Sequence, residues 1–298
     1  MMKIENTILD RNNELKHLAI ISGKGGTGKT TLAAAFAKLA EKVVVADCDV
    51  DAADLHLVLK PEFRQSFTYR GGKKADIDLN KCTECDLCSD HCRFDAIHHY
   101  QVDLLACEGC GFCYHICPEN AVTMKEIISG YYHVGKFSDG HIVDAALEPG
   151  ESNTGKLVTE VKNHAKSIAQ KNKSKWLLID GPPGIGCPVN ASLAGVDFAI
   201  IVTEPTISGL SDMKRLMNLI QRFHIHAVIV INKYDLNPSM AHLIEVYANE
   251  RNIMIAGKIP FDETVDKALL GEKSIIEIKD NAVAQEIVNI WQKINQVV

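Results

Sequence analysis

The sequence predicts an α/β fold: a mainly parallel β-sheet with helices on both faces, interrupted by a small cysteine-rich insert. Three observations support this prediction. Short apolar segments alternate with amphipathic helical patterns along most of the 298 residues, a glycine-rich loop follows the first apolar segment, and eight of the ten cysteines fall between Cys82 and Cys117. Apolar strands that alternate with helices favour a parallel sheet that is buried on both faces. A hydrophobic content of 46% is sufficient to fill such a core.

The first strand is HLAIIS, residues 17–22, and an alanine-rich helix, TTLAAAFAKLAEK, follows it at residues 30–42. Further strands are predicted at 43–47, 176–180, 198–204, 227–232 and 253–260, and helices at about 155–171, 208–223 and 239–251. Residues 127–150 have the pattern of a β-hairpin that leads back from the insert. The predicted domains are therefore a main domain in two parts, 1–75 and 127–298, and an inserted domain at 76–126.

The loop between the first strand and the first helix has the sequence GKGGTGKTT, residues 23–31. It completes the phosphate-binding pattern G-x-x-x-x-G-K-S/T in the strand–loop–helix context that the pattern requires, which disfavours an ordinary glycine-rich turn. Backbone N–H groups of such a loop bind phosphate oxygens at a helix N-terminus. Lys29 is expected to contact the β- and γ-phosphates and the Thr30 hydroxyl to hold Mg²⁺. The residues expected to bind the nucleotide are Gly23, Lys24, Gly25, Gly26, Thr27, Gly28, Lys29, Thr30 and Thr31.

Aspartates stand at the ends of two other predicted strands. Asp47 and Asp49 belong to the segment DCDVDAADL, and Asp180 begins the segment DGPPGIGCP. Ligands of parallel sheets bind at the carboxyl ends of the strands, where a carboxylate can hold Mg²⁺ or orient the water that attacks a γ-phosphate. One acid at a strand end is often only a helix cap. Two such strand ends beside a phosphate loop favour a nucleotide site.

The cysteines form two blocks, CTECDLCSDHC and CEGCGFCYHICP, each with the spacing C-x2-C-x2-C-x3-C. This spacing is typical of ferredoxins with two [4Fe–4S] clusters, in which the fourth cysteine of each block ligates the other cluster. Zinc sites usually pair two C-x2-C units at longer separation, and disulfides are disfavoured in a reducing compartment. One cluster is assigned to Cys82, Cys85, Cys88 and Cys117, and the other to Cys107, Cys110, Cys113 and Cys92. Arg93 stands where proline normally follows the fourth cysteine.

The predicted insert is acidic, with ten acidic and three basic side chains between Asp76 and Glu126. This composition favours a redox module that presents a negative face to a partner, or else a merely solvated acidic face. The chain has no basic stripe of the kind that binds nucleic acid. The first 16 residues lack the apolar region of a signal peptide, and no apolar run is long enough to span a membrane. We therefore expect a cytoplasmic protein that binds neither nucleic acid nor membrane.

These motifs together resemble one known group of proteins. KGGTGKTT resembles the deviant Walker A loop of the P-loop ATPases that include MinD, Mrp, ParA and the nitrogenase iron protein. With DCDVDAADLHL, the two cysteine blocks, GESNTGKLV, DGPPGIGCPV, TEPT and INKYD, the chain is most similar to MinD-superfamily ATPases that contain an inserted ferredoxin domain. The similarity extends over nearly the whole chain from residue 17. It implies a P-loop NTPase fold that binds and hydrolyses ATP with Mg²⁺, as an ATP-dependent homodimer or a dimer with a close paralogue.

The resemblance also implies roles for individual residues. Lys24, the additional lysine of the loop, would cross the dimer interface to the phosphates of the partner's nucleotide. Asp49 would position the hydrolytic water, Asp47 would reach Mg²⁺ through water, and Asp180 would lie near Mg²⁺. The segment that recognises adenine corresponds to Asn232 and Lys233, and the loop that closes over the base runs from Pro260 to Asp262.

Three further segments have less distinctive patterns. Cys187 follows Asp180 at the offset of a cluster ligand in the nitrogenase iron protein, but only Cys48 remains outside the blocks as a second ligand. We therefore expect Cys187 to be a packed or redox-sensitive thiol. GESNTGK, at 150–156, lacks the hydroxyl that a phosphate loop supplies to Mg²⁺ and predicts a turn and a helix start. The C-terminal stripe Ile287, Ile290, Trp291 and Ile294 has few basic neighbours and is expected to dock on its own domain rather than on a membrane.

Three functions are compatible with these features. The first is an ATPase that couples nucleotide state to electron transfer through two [4Fe–4S] clusters to an unidentified redox partner protein. The second is an ATPase for the assembly of iron–sulfur or other metal cofactors. The third is a MinD-like positioning ATPase in which the clusters sense redox state. Complete ligand sets for both clusters favour relay of electrons over donation of clusters.

Overall fold

The computed structural model describes residues 15–138, 140–151 and 154–298. The N-terminal segment considered for a signal peptide lies almost wholly outside these residues, as do residues 152 and 153 of the GESNTGK segment. The strands are β1 (Lys16–Ser22), β2 (Val43–Asp47), β3 (Phe63–Tyr69), β4 (Gly72–Ile77), β5 (Ile97–His98), β6 (Gln101–Val102), β7 (Val122–Ile127), β8 (Gly130–Phe137), β9 (Gly140–Leu147), β10 (Trp176–Pro183), β11 (Phe198–Thr203), β12 (His226–Asn232) and β13 (Met254–Ile259). The helices are α1 (Lys29–Leu39), α2 (Leu55–Leu59), α3 (Leu87–Asp90), α4 (Phe112–Ile116), α5 (Thr154–Lys171), α6 (Cys187–Leu193), α7 (Ile207–Arg222), α8 (Pro238–Glu250), α9 (Thr264–Leu270) and α10 (Ala282–Val297).

The chain divides into two compact units. The first contains the described residues of 1–66, 133–145 and 154–298, and the second contains those of 67–132 and 146–153. The predicted insert, residues 76–126, lies within the second unit. Its boundaries as a domain remain a prediction.

The main sheet has nine strands in the order β13-β12-β11-β1-β10-β2-β9-β8-β3. The seven strands from β13 to β9 pair in parallel, so the predicted mainly parallel sheet is confirmed. The predicted hairpin is present as the neighbouring strands β8 and β9. Because β1, β10 and β2 are adjacent and parallel, their carboxyl ends meet at one edge of the sheet, where the predicted nucleotide residues lie.

Helices cover both faces of this sheet, as the sequence predicts. On β1, Leu18 and Ile20 belong to a hydrophobic cluster with residues of α1 and α10. The alternate residues Ala19 and Ile21 are also fully buried, and α6 and α7 contact this strand. Successive side chains of a strand point to opposite faces, so burial of both sets requires cover on both sides.

The C-terminal helix α10 docks on the sheet through the predicted stripe, which confirms that expectation. Ile287, Ile290 and Ile294 are buried, and the Trp291 ring lies 4.8 Å from Phe36 and 5.0 Å from Trp176 between centroids. Within residues 15–138, 140–151 and 154–298, no helix combines the length and the apolar character needed to span a bilayer.

The second unit is built on a two-stranded antiparallel ribbon. β4 pairs with β7, from Gly72 opposite Ile127 to Ile77 opposite Val122. A second short ribbon, β5 with β6, and the short helices α3 and α4 lie between them in sequence. All eight cysteines of the two blocks belong to this unit.

Candidate nucleotide site and cysteine cavities

The predicted phosphate loop connects β1 to α1, which begins at Lys29. Two of its glycines are required by close packing. Gly28 has a φ of 85°, and a Cβ there would lie 2.3 Å from the Asn232 amide nitrogen. A Cβ on Gly23 would lie 2.2 Å from the Asp212 Cβ on α7. The loop is therefore shaped by segments that are distant in sequence.

The three predicted acids and the loop lysine come together at the carboxyl edge of the sheet. Asp180 on β10 is directly opposite Asp47 on β2 in the parallel register. The Lys29 Nζ atom lies 2.9 Å from Asp180 Oδ1 and 3.9 Å from Asp49 Oδ2. A lysine held by two carboxylates at this edge is the arrangement expected beside phosphate and Mg²⁺.

The charges of this group perturb one another because most of it is buried. Burial raises the pKa of Asp47 well above its ordinary value, and the adjacent Asp180 carboxylate raises it further. Burial lowers the pKa of Lys29, but Asp180 and, to a lesser extent, Asp49 and Asp47 outweigh this effect and hold that pKa above its ordinary value. The acids therefore stabilise any cation that lies between them.

The Asp47 carboxylate also holds the loop that follows β2. It accepts backbone hydrogen bonds from Asp49 and Leu55, both at 3.2 Å. In addition, the Cys48 N–H donates to the Asp180 carbonyl at 2.8 Å, which ties this loop to β10. The predicted position of Asp49 thus depends on contacts with both strands.

A cavity of about 670 Å³ extends from the phosphate loop toward α9 and α10. Its lining includes Asn232, Lys233, Pro260 and Asp262, which the resemblance assigned to adenine, and it adds Phe261, Val265, Leu269 and Ile287. Phe261 lies within the loop at 260–262 that the resemblance assigned to the base. Ile287 was predicted only as part of the C-terminal stripe, and Val265 and Leu269 of α9 follow no motif.

The phosphate loop and the neighbouring strand β10 have unpaired polar atoms suited to a nucleotide and its cation. Thr27 Oγ1, in the cavity lining, and Asp180 Oδ2, on β10, are buried without a hydrogen-bond partner. Buried polar atoms of this kind are costly unless a ligand or water pairs with them. The residues present therefore fit a phosphate group with Mg²⁺.

Lys24 lies on the exposed side of the loop and pairs within its own chain. Its Nζ atom is 3.0 Å from Glu204 Oε2, and the other Glu204 oxygen is 2.7 Å from Lys233 Nζ. Lys233 also donates to the Gly26 carbonyl at 3.2 Å, and Asn232 donates to the Thr27 carbonyl at 2.8 Å. The side chains assigned to adenine recognition therefore also support the loop.

Glu204 was missed by the sequence analysis, although the segment TEPT was noted. It follows β11 at the same edge of the sheet as the aspartates. The position at a strand end was the signal that could have identified it. Its two lysine partners cannot be inferred from spacing.

The eight cysteines of the second unit surround two cavities. A small cavity of about 20 Å³ is lined by Cys82, Cys85, Cys88 and Cys117, the set assigned to one cluster. A larger cavity of about 440 Å³ is lined by Cys92, Cys107, Cys110 and Cys113, the set assigned to the other, together with Cys88. Each cavity is thus lined by three cysteines of one block and the fourth cysteine of the other.

The chemistry of these linings fits iron–sulfur clusters. All ten cysteines are free thiols. Backbone N–H groups donate to two of the sulfurs, from Ala96 to Cys92 at 3.4 Å and from Ala121 to Cys117 at 3.3 Å. Such bonds stabilise the thiolate charge of a ligated cysteine. Throughout the described residues, no three His, Cys, Asp or Glu side chains converge closely enough to bind a single metal ion.

The two cysteines outside the blocks differ in environment. Cys48 is fully buried, and its burial raises its pKa far above the ordinary value. Cys187 is exposed at the first residue of α6. The expectation that Cys187 is packed is therefore wrong, because the start of α6 lies at the surface. A redox-sensitive role remains a prediction.

A parallel sheet with a phosphate loop after β1 and acids after β2 and on β10 defines a P-loop nucleotide-binding protein. Residues 18–275 match the family described as the CobQ/CobB/MinD/ParA nucleotide binding domain, and the chain belongs to this family. It is an ATP-binding P-loop ATPase of the MinD/ParA type.

Individual relatives agree with this assignment. The chain is 35% identical over 284 residues to the uncharacterised protein MJ0578 of Methanocaldococcus jannaschii, which covers 94% of this chain and 96% of that protein. It is 23% identical over 293 residues to an iron-sulfur cluster carrier protein of Pyrococcus abyssi, over 93% and 84% of the two chains.

Among solved structures, the chain is similar to the septum site-determining protein MinD of Pyrococcus horikoshii in complex with Mg-ADP. The TM-score is 0.59 at 20% identity, over 95% of this chain and 97% of that chain. At this identity the similarity establishes the fold alone.

Proposed function

We propose that this protein is an ATP-dependent dimer that couples its nucleotide state to electron transfer through two [4Fe–4S] clusters to a partner protein. The observation that carries this proposal is the pair of cavities in the second unit, each lined by the four cysteines of one predicted cluster. They occur in a chain whose other unit is a MinD/ParA-type nucleotide-binding domain. A nucleotide switch and a redox module in one chain favour coupling between them.

In the nucleotide site, Lys29 and the backbone of residues 23–30 bind the phosphates of ATP. Thr30 and Asp180 hold Mg²⁺, directly or through water, and Asp47 supports them from the adjacent strand. Asp49 orients the attacking water, for which its position 3.9 Å from Lys29 is suitable. The adenine ring occupies the apolar part of the cavity beside Pro260–Asp262, with Asn232 and Lys233 at its entrance.

Dimerisation gives Lys24 its function. The lysine leaves Glu204 and contacts the phosphates bound to the partner subunit. Its positive charge then stabilises the negative charge that develops on the phosphate oxygens in the transition state. Hydrolysis then depends on two chains closing around ATP. The partner is a second copy of the chain or a close paralogue.

In the second unit, the eight block cysteines hold two [4Fe–4S] clusters, each of which accepts and releases one electron when bound. The surrounding chain supplies N–H groups to two of the ligand sulfurs. A separate redox protein is the acceptor of these electrons. The acidic surface of this unit favours an acceptor with a basic docking face.

ATPase assays test the nucleotide half of the proposal. Lys29→Ala should abolish ATP binding, because it removes the phosphate contact. Lys24→Ala should retain binding and lose hydrolysis, because its target is on the other subunit. Hydrolysis by Lys24→Ala at the parent rate would contradict the role across the interface.

Metal analysis and redox titration test the other half. Anaerobically reconstituted protein should contain about eight irons per chain, fewer in Cys82→Ser and the same number in Cys187→Ser. Stoichiometric zinc instead of iron would contradict the proposal. A non-hydrolysable ATP analogue should shift the cluster reduction potential by an amount equivalent to a coupling free energy of about 1–3 kcal/mol. Equal potentials with and without bound analogue would contradict the proposed coupling.

A second candidate function is iron–sulfur cluster assembly. It is favoured by the similarity to an iron-sulfur cluster carrier protein of Pyrococcus abyssi. Transfer of iron and sulfide from this protein to an apo-ferredoxin, faster with ATP, would favour assembly. Retention of all iron under the same conditions would favour electron transfer.

A further inference from the structure

The two cysteine blocks are internal repeats, and their backbones match. Residues 82–97 align with 107–122 without a gap, so each cysteine of the first block has a counterpart in the second. Asp95 and Asn120 are counterparts with φ of 51° and 50°. The N–H groups of Ala96 and Ala121, also counterparts, donate to the fourth cysteine of their own block. The backbone hydrogen bond to the fourth cysteine is therefore the same in the two repeats.

The side chains of the repeats differ in charge where the backbones agree. The first repeat has Glu84 and Asp86, with φ of 57° and 61°, at the positions of Gly109 and Gly111 in the second. Positive φ is strained for residues other than glycine, so the acids occupy positions that the second repeat fills without strain. Strained residues of this kind are often retained for function.

The charges are also unequal around the two cavities. Asp86 and Glu119 line the cavity of Cys82, Cys85, Cys88 and Cys117, which we call the acidic site. Arg93 and Glu108 line the cavity of Cys92, Cys107, Cys110 and Cys113, which we call the balanced site. Arg93 is the residue that departs from the usual proline, and its counterpart in the second repeat is Pro118.

We propose that the clusters of the proposed electron-transfer function have unequal reduction potentials, and that the balanced site takes the first electron. Reduction by a one-electron donor adds one negative charge to a site, with no bond formed and no proton moved, and the donor loses that electron. Carboxylates beside the site oppose the added charge, and a guanidinium favours it. Two acids, Asp86 and Glu119, line the acidic site, whereas Arg93 offsets Glu108 at the balanced site, and this difference decides the order of reduction.

The test is a potentiometric titration of the reconstituted full chain, followed by electron paramagnetic resonance. Two one-electron steps are expected. At the potential where the first site is half reduced, the ratio of reduced to oxidised protein at the second site should be one tenth or less. This corresponds to midpoint potentials that differ by at least about 59 mV. Cys85→Ser and Cys110→Ser, which remove an exposed ligand from the acidic and the balanced site respectively, assign each step to its site.

Two variants should move the steps in opposite directions. The double variant Asp86→Asn/Glu119→Gln should raise the potential of the acidic site, because both acids line it. Gly111→Asp should lower that of the balanced site. A Cβ there meets no atom within 4 Å, and the φ of 74° is close to the 61° at which its counterpart Asp86 is held. Gly109 is unsuitable because its Cβ would lie 2.1 Å from the Lys73 carbonyl oxygen. Glu126→Gln, which removes an acid that lines neither cavity, is the control and should leave both steps unchanged.

The outcomes separate this inference from the function on which it rests. Equal potentials, reduction of the acidic site first, or variants that do not move their own step would overturn the inference and leave the iron–sulfur function standing. A chain that retains no iron after reconstitution would overturn both.

Discussion

The Lys24–Glu204 pair should restrain dimer formation, and Glu204→Gln should relieve that restraint. In the single chain, Glu204 holds Lys24 at 3.0 Å and Lys233 at 2.7 Å. If Lys24 reaches the partner's phosphates, it must first leave Glu204. The glutamine keeps the volume and one acceptor oxygen, removes the charge and replaces the other acceptor oxygen by an NH₂ group, which cannot accept from a lysine.

The size of the effect follows from the exposure of the two side chains. Lys24 is 34% exposed and Glu204 is 14% exposed, so the pair is neither fully screened nor fully buried. For such a pair we take an interaction free energy of about 1 kcal/mol, the upper end of the range for exposed ion pairs. A dimer releases two of them, which gives about 2 kcal/mol, or roughly a 30-fold change in the dimer dissociation constant.

Sedimentation equilibrium with a non-hydrolysable ATP analogue measures this constant. Glu204→Gln should form a tighter dimer than the parent. Glu245→Gln is the matched control, because it breaks a Lys–Glu pair of 2.8 Å with Lys258 outside the nucleotide cavity, and it should not change the constant. An unchanged or weaker dimer for Glu204→Gln would refute the reasoning, and an equal gain in the control would show a non-specific charge effect.

Three other predictions concern stability and can be measured by chemical denaturation. Trp291→Ala should lower the free energy of unfolding by about 3–5 kcal/mol because the indole is buried, whereas Val297→Ala, at an exposed position of the same helix, should change it by less than about 0.5 kcal/mol. Gly28→Ala should cost at least about 1–2 kcal/mol because its φ is positive, whereas Gly25→Ala, with no atom near its Cβ, should cost much less. Burial lowers the pKa of Lys162 from 10.5 to about 8, so the unfolded chain binds more protons between these values and stability should rise with pH across that window. In Lys162→Met that rise should disappear, and an unchanged pH profile would contradict the assignment.

Much of the fold and part of the site could be predicted because their signals are local. The phosphate loop occupies nine consecutive residues, and Lys29 is placed by the helix that begins there. Each cysteine block spans only eleven residues, 82–92 and 107–117, so the spacing within each block was enough to predict a two-cluster pattern. Strand periodicity likewise predicted the parallel sheet. Because ligands of parallel sheets bind at the carboxyl ends of the strands, the prediction led to Asp47 and Asp180.

Contacts between distant segments could not be predicted in the same way. Local spacing contains no information on which side chain of β11 or α10 approaches the phosphate loop, so Glu204 and the place of Ile287 in the cavity lining were missed. Cys187 was expected to be a packed or redox-sensitive thiol, and the packed alternative is wrong because the exposure of a residue depends on what else covers it. That cover is a property of the assembled fold.

The sequence by itself determined the phosphate loop and the strand and helix pattern, and it predicted two ligand sets among the cysteines. These features depend on hydrogen bonding, periodicity and spacing over a few residues. Only the tertiary structure decided that Lys24 is held by Glu204, that Asp180 faces Asp47 and that an apolar cavity extends to α10. Such contacts arise because sheet register and helix packing bring remote residues within a few ångströms of each other. At these distances charge and van der Waals interactions are strong.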